Sequence, residues 1–310
     1  MLFIETVNGI VPVFLVIFLG MFFNRLRFFS EVTKEEIIKL VYYVGTPVLL
    51  FHTISKTDLY QSFQPSLILF FTGVVIGYLF LLIFLTSFIK DPAKKAAVVQ
   101  IGFRSNFAIV GIPLAMNLMN EDGVSMTAVS LAFVTILYNV SAVTMLSYYG
   151  KQERNLGKLF LSVLKNPLII GTILGLCFSL FQIPLPVVLE KSMETLGQIA
   201  SSMGLLMIGA SITMNGFGEN RGYIALAVFF RNLLAPLLYL TTAILLGFRG
   251  DALTITAILS ATPAAVNCFV MAKKMGADPQ ISAYGVSLTS IFSIGSVFIS
   301  IYFLKFFGLA

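Results

Sequence analysis

From Ser66 to Ile89 the chain runs without a single charged residue or proline. Such a run is long enough for one bilayer-spanning helix, which takes about 20 mostly apolar residues. A helix that is apolar on every side must be enclosed by protein or dissolved in lipid. The whole-chain balance decides between the two. The 310 residues are 58% hydrophobic and 11% charged, where soluble domains are about 45–50% apolar and about 25% charged. A water-soluble core of this size cannot hide that excess, so lipid must solvate much of it. Spanning segments are then helices or a closed barrel. Continuous runs rich in Leu, Ile and Phe, lacking two-residue alternation, select helices. The expected fold class is an all-α integral membrane protein.

Apolar runs separated by charged or turn-rich breaks give ten expected spans, near 2–23, 36–54, 64–89, 94–119, 124–148, 167–182, 193–213, 222–247, 252–275 and 281–308. The first apolar run ends in Asn24-Arg25-Leu26-Arg27 with no basic residue ahead of it. That is the reverse of a signal peptide's charge order, so the first helix is expected to be retained. Of the 20 Lys and Arg residues, fourteen fall in the breaks after spans one, three, five, seven and nine, among them Arg25, Lys94, Lys151 and Lys273. Four, Lys56, Lys191, Arg249 and Lys305, fall on the other side, while Arg104 and Arg231 lie within spans. The bias predicts a cell-membrane protein with both termini outside the cytoplasm. It also accounts for the net charge of +6 without nucleic acid. Cys177 and Cys268 fall inside apolar runs as small packing residues, and His52 is the one histidine, so no metal or cofactor site is expected.

Ten spans invite a search for repetition. Pro12 to Gly20 (PVFLVIFLG) resembles Pro167 to Gly175 (PLIIGTILG) at an offset of 155, and Val129-Ser-Leu131 resembles Val286-Ser-Leu288 at 157. Two five-helix units are expected, residues 1–150 and 167–310, joined by a short cytoplasmic linker over 151–166. Five is odd, so the second unit inserts upside down, the inverted repeat of secondary transporters with substrate held near mid-membrane. The 157 register sets Asn106 opposite Pro263. It is preferred to the register of 150, which aligns Pro113…Asn117 with Pro263…Asn267.

Spans four and nine carry polar, proline-containing patches at similar depth: Arg104-Ser-Asn106 with Gly111 and Pro113, and Thr262-Pro263 with Asn267. Proline removes a backbone donor and clashes with the carbonyl four residues back. Unwound backbone is tolerated in a membrane only where protein or a wet cavity covers it. Were both helices broken there, two half-helix N-termini would present N–H groups and positive partial charge to one point, a cradle for a carboxylate. Two ordinary proline kinks are the alternative.

Asn106 to Leu114 (NFAIVGIPL) resembles the fourth-helix motif of the auxin efflux carrier family, within the bile acid sodium symporter superfamily, and Pro263 to Lys273 (PAAVNCFVMAK) resembles its ninth. Weaker likeness covers Pro47–Phe51, Asn166-Pro167, Leu206–Ser211 and Arg231–Leu237. The resemblance implies ten helices in two inverted repeats, with helices four and nine broken and crossing at the substrate site, and a scaffold and a transport region in relative motion. It implies an organic anion as substrate, auxin in plants and dicarboxylates such as malate or malonate in bacteria. Plant carriers have Pro before the crossing Asn, where this chain has Ser105, and many have a long central loop. A microbial carboxylate carrier is therefore expected ahead of an auxin-type exporter.

The candidate substrate contacts are Asn106, Ser105, Thr262, Asn267 and Arg231, and the candidate crossing residues are Gly111, Pro113 and Pro263. Arg231, deep in span eight, reads equally as substrate attraction or gating and as a structural partner for carbonyls freed at a broken helix. Arg104 is nearer the cytoplasmic half of span four, where it either snorkels or serves function. Asn139 either lines a cavity or holds helices together, and His52 packs at the membrane edge. The acidic residues lie in breaks or near span ends, Glu5 and Glu194 reaching furthest in. Either a coupling ion, Na+ or H+, would therefore be held by carbonyls and by Ser, Thr or Asn groups, or the protein is a uniporter. A homodimer is left open. An intramembrane enzyme is disfavoured by the lack of HExxH, GxSxG or a carboxylate pair in the spans. A channel or receptor-like sensor on the same scaffold is the other alternative.

Overall fold

The computed structural model describes residues 2–56, 63–149, 165, 167–212 and 218–310. Apart from Lys165, the linker expected over 151–166 lies outside the described residues. The described chain is helical, in the order α1 (Leu2–Arg25), α2 (Glu31–Ser55), α3 (Pro65–Leu85), α4 (Pro92–Phe103), α5 (Phe107–Leu118), α6 (Glu121–Tyr149), α7 (Pro167–Leu180), α8 (Val187–Ala210), α9 (Gly218–Leu245), α10 (Asp251–Ala261), α11 (Asn267–Met275) and α12 (Pro279–Phe306). Among the described residues six helices, α1, α2, α3, α6, α9 and α12, are long and apolar enough to cross a membrane.

Local chemistry sets the helix ends. Asp91 accepts from the N–H of Ala93 at 2.9 Å ahead of Pro92, and Asp278 accepts from that of Ile281 at 2.9 Å ahead of Pro279. Each carboxylate satisfies an orphan donor, and each proline occupies a position that needs none. Gly276 closes α11 at φ 80°, a left-handed conformation open to glycine at little cost. In mid-helix, α2 and α9 each widen into a π turn, at Val41–Gly45 and Phe230–Leu234. The carbonyl of Phe230, which takes the Ala235 N–H in the wide turn, also accepts the Tyr78 hydroxyl at 2.5 Å, and that of Asn232 accepts the Ser296 hydroxyl.

Two groups of helices result. In the first, α1 packs on α8, and α2 packs on α7 and α8. These contacts are backbone to backbone. A Cβ at Gly20 would strike the carbonyl of Leu206, one at Gly209 that of Ile17, and one at Gly175 the backbone of Phe51. Small residues permit this approach between helices in lipid, where van der Waals packing replaces the hydrophobic drive. In the second group α3, α6, α9 and α12 surround the short segments α4, α5, α10 and α11.

Each short segment falls well below spanning length, because α4 gives way to α5 at Arg104–Asn106 and α10 to α11 at Thr262–Val266. The two interruptions pair with each other. Ser105 and Ala264 form an antiparallel bridge, with Asn106 N–H donating to the Pro263 carbonyl at 2.7 Å and Ala265 N–H to the Arg104 carbonyl at 3.2 Å. The Ala264 N–H donates to the Thr289 hydroxyl at 3.1 Å. Backbone that left its helix therefore finds partners within the protein, as burial in lipid demands.

Pro263 sits in this crossing and biases Thr262 toward its extended conformation, ψ 153°. Gly111 and Pro113 stand outside this paired backbone. They lie inside α5, beyond the break. There a wide turn over Phe107–Gly111 accommodates the proline ring, and the carbonyl of Pro113 takes a bond from the Asn117 amide at 2.8 Å. Gly111 serves packing: a Cβ there would meet the Phe107 ring and, at 3.3 Å, Ile258 of α10.

Candidate functional site

The N-terminal turns of α5 and α11 face a cavity of about 50 Å³ lined by Tyr42 and Thr46 of α2, Arg104 to Ile109, Leu131, Thr135 and Tyr138 of α6, and Ala265 to Asn267. Its wall thus combines both helix breaks with one helix from each surrounding group. At α11 the N–H groups of Cys268 and Phe269 already donate to the Ala265 and Val266 carbonyls at 2.9 and 3.2 Å, so what both helix starts share is the positive potential of the helix dipole. Among the described residues no Asp or Glu lines this cavity.

Of the predicted substrate contacts, Asn106, Ser105 and Asn267 meet on the wall. Asn106 is 4% exposed, and its side-chain Nδ2 has no hydrogen-bond partner among the described residues. A buried amide donor left unmade costs about 1–3 kcal/mol. The Ser105 hydroxyl lies 3.3 Å from that of Tyr138, to which it donates.

Thr262 and Arg231 are elsewhere. The hydroxyl of Thr262 turns back to the Leu259 carbonyl at 3.4 Å. Arg231 is 0% exposed and is not on the cavity wall. Its guanidinium donates to the carbonyls of Thr262 at 3.0 Å, Phe103 at 3.2 Å, Leu259 at 2.9 Å and Ser260. Those oxygens belong to the C-terminal ends of α4 and α10 and to the first unwound residue. Of the two readings of Arg231, these bonds are those of a structural partner for carbonyls at a broken helix. A buried cation is costly, and four charge-assisted bonds to oxygens at the negative ends of two helices offset that cost.

The cation on the cavity wall is Arg104. It does not snorkel: it is 5% exposed, with Nη2 donating to Asn139 Oδ1 at 2.9 Å and Nη1 to the Met271 sulfur at 2.7 Å. Spacing within an unbroken helix hides this role. Once Arg104–Asn106 is extended, residues two apart share a face, so the signal was the polar triplet itself. Tyr138 and Thr135 lie in an apolar run without a local signature and went unread. His52 is buried near the end of α2, away from the cavity wall. Beside it, outside the apolar spans, the Lys56 ammonium meets Glu190 at 2.5 Å, and that hydrogen bond holds the Glu190 carboxyl below its usual range.

A family model for "Membrane transport protein" matches residues 6–301. A Rhizobium meliloti protein named "Putative malonate transporter" is 24% identical over 304 residues, covering 94% of each chain. An uncharacterized transporter of Methanocaldococcus jannaschii is 22% identical over 294 residues, 91% of this chain and 93% of that one. Auxin efflux carrier component 3 of Arabidopsis thaliana aligns over 132 residues at 26% identity, 40% of this chain and 20% of the plant protein. With membrane-length helices, paired helix breaks and a match along nearly its whole length, the chain belongs to the membrane transport protein family that includes the auxin efflux carriers.

Proposed function

We propose that this membrane transporter is a secondary carrier that moves a small organic anion, a dicarboxylate such as malonate, by alternating access. The anion would sit where the breaks α4/α5 and α10/α11 cross. The observation that carries this reading is the Asn106 amide, unpartnered among the described residues and buried in a cavity whose described wall holds two helix N-terminal turns and no carboxylate. At about 50 Å³ the cavity has room for a few waters. Admitting a dicarboxylate needs α2 to withdraw from the breaks, which is the relative motion alternating access requires.

Ten spans in two inverted repeats complete the proposal, α4 with α5 and α10 with α11 each counting as one. The packing supports it, since exchanging the halves turns the contact of α1 with α8 into that of α7 with α2. Gly45 abuts Ala200, the residue that the offset of 155 equates with it, as expected for a position on a twofold axis. At the crossing, exchanging Ser105 with Ala264 turns each flanking hydrogen bond into the other. That matches Asn106 with Ala265, which replaces the register that set it opposite Pro263. The termini are proposed to lie outside the cytoplasm, on the basic-residue bias alone.

The test is uptake of radiolabelled malonate into proteoliposomes. Asn106→Ala should abolish saturable uptake while the protein stays folded and membrane-inserted. Normal transport by that variant refutes the site. Dependence of uptake on an imposed Na+ or H+ gradient identifies the coupling ion.

A further inference from the structure

Arg104 is a buried cation whose partners among the described residues are all neutral. Its two bonds go to an amide oxygen and to a thioether sulfur, and it forms no ion pair among the described residues. The contrast with Arg231 is chemical. Arg231 saturates its donors on backbone oxygens at negative helix ends, whereas a thioether is a weak acceptor. A charge this deep is expected to be paired or to face a water-filled path. Around it lie two more buried polar atoms without a partner, Gln100 Oε1 and Asn139 Nδ2, besides Asn106 Nδ2. Arg104 and Asn106 stand two residues apart on the unwound segment, about 6–7 Å along an extended backbone, and both line the same cavity.

We propose that Arg104 reads the second carboxylate of the substrate and makes the carrier selective for dianions over monoanions, with Met271 holding the guanidinium until that carboxylate arrives. The proposal rests on the carrier reading above. One carboxylate sits at Asn106 and the helix N-terminal turns. The other displaces the Met271 sulfur from Nη1 and pairs with the guanidinium, a planar fork matched to a carboxylate. The Asn139 amide, already bonded to Nη2 through its oxygen, fixes the guanidinium plane and offers its free Nδ2 donors to the incoming group. A monoanion of the same shape fills the first position and leaves Arg104 on Met271.

The discriminating probes are radiolabelled malonate and its monoamide, malonamate, which has nearly the same shape and one charge fewer. Both are followed at pH 7 in proteoliposomes carrying the full chain. The unaltered protein should prefer malonate by at least tenfold in kcat/KM. Arg104→Gln should bring that ratio near one by losing malonate transport while malonamate transport persists, and Arg104→Lys should restore part of the preference. Met271→Leu removes the competing sulfur and should lower the KM for malonate severalfold with little change for malonamate. Asn106→Ala should abolish both substrates, which separates the carrier reading from this one. An unchanged ratio in Arg104→Gln, or equal loss of both substrates in that variant, overturns the assignment to Arg104. Absence of saturable uptake of either anion by the unaltered protein overturns the carrier reading and this inference together.

Discussion

Two arginines serve the same pair of broken helices, and they differ in what the protein gives each of them. Arg231 meets the ends where α4 and α10 stop, and four backbone carbonyls consume its donors. Arg104 meets the ends where α5 and α11 begin, and an amide and a sulfur hold it. The polarity of the helix accounts for the difference. C-terminal ends expose oxygens and carry negative potential, so a cation there is satisfied by the fold itself. N-terminal ends expose N–H groups and carry positive potential, so a cation there adds to a charge that the fold leaves unbalanced. A buried arginine can therefore be satisfied by the fold in one place and left with weak acceptors in another.

The largest effect that would break this comparison is on stability. Arg231→Leu should strand the buried carbonyls of Phe103, Ser260 and Thr262 and leave that of Leu259 only the Thr262 hydroxyl, at about 1–3 kcal/mol for each that relaxation cannot rescue. The expected outcome is a protein that fails to survive detergent extraction or melts far below the parent in a size-exclusion thermal-shift assay. Arg104→Gln should melt close to the parent, because it gives up only one bond to an amide oxygen and one to a weakly accepting thioether. Equal melting of the two variants would erase the distinction drawn here. A smaller effect is expected at Tyr138→Phe, which takes away one hydrogen bond to Ser105 at the cavity wall. That should cost on the order of 1 kcal/mol and raise the KM for malonate modestly, without altering the preference over malonamate. The smallest effect belongs to the exposed pair Lys56–Glu190, since surface ion pairs contribute little. The depressed Glu190 pKa means that whatever the pair contributes is present above the ordinary carboxylate range and is lost as pH falls through the lowered value. Glu190→Gln should leave melting at pH 7 unchanged, and a large loss there would show that water does not screen the pair.

Much of the architecture was legible before any coordinates. The apolar runs located the helices to within a few residues, with α8 beginning earlier, at Val187, than the expected span from 193. The patches Arg104-Ser-Asn106 and Thr262-Pro263 marked both interruptions, because polar groups and an imino acid at mid-span are too costly in an intact lipid-facing helix. Less legible was which side chain faces which neighbour. Pro113 looked like the cause of the first break, yet the chain unwinds well before it and a wide turn absorbs the ring. Arg231 and Arg104 are both single charges inside apolar runs, so their spacing carries no mark of their different surroundings.

The sequence by itself determined that this chain is a bundle of membrane helices with two places that must kink or break, because the cost of polar groups in lipid is local and can be read along one dimension. The tertiary structure alone decided what the interruptions do. Hydrogen-bond partners more than a hundred residues apart, such as Asn106 with Pro263 and Arg231 with Phe103, exist only once the halves meet. That meeting assigns one arginine to the backbone and leaves the other facing a cavity.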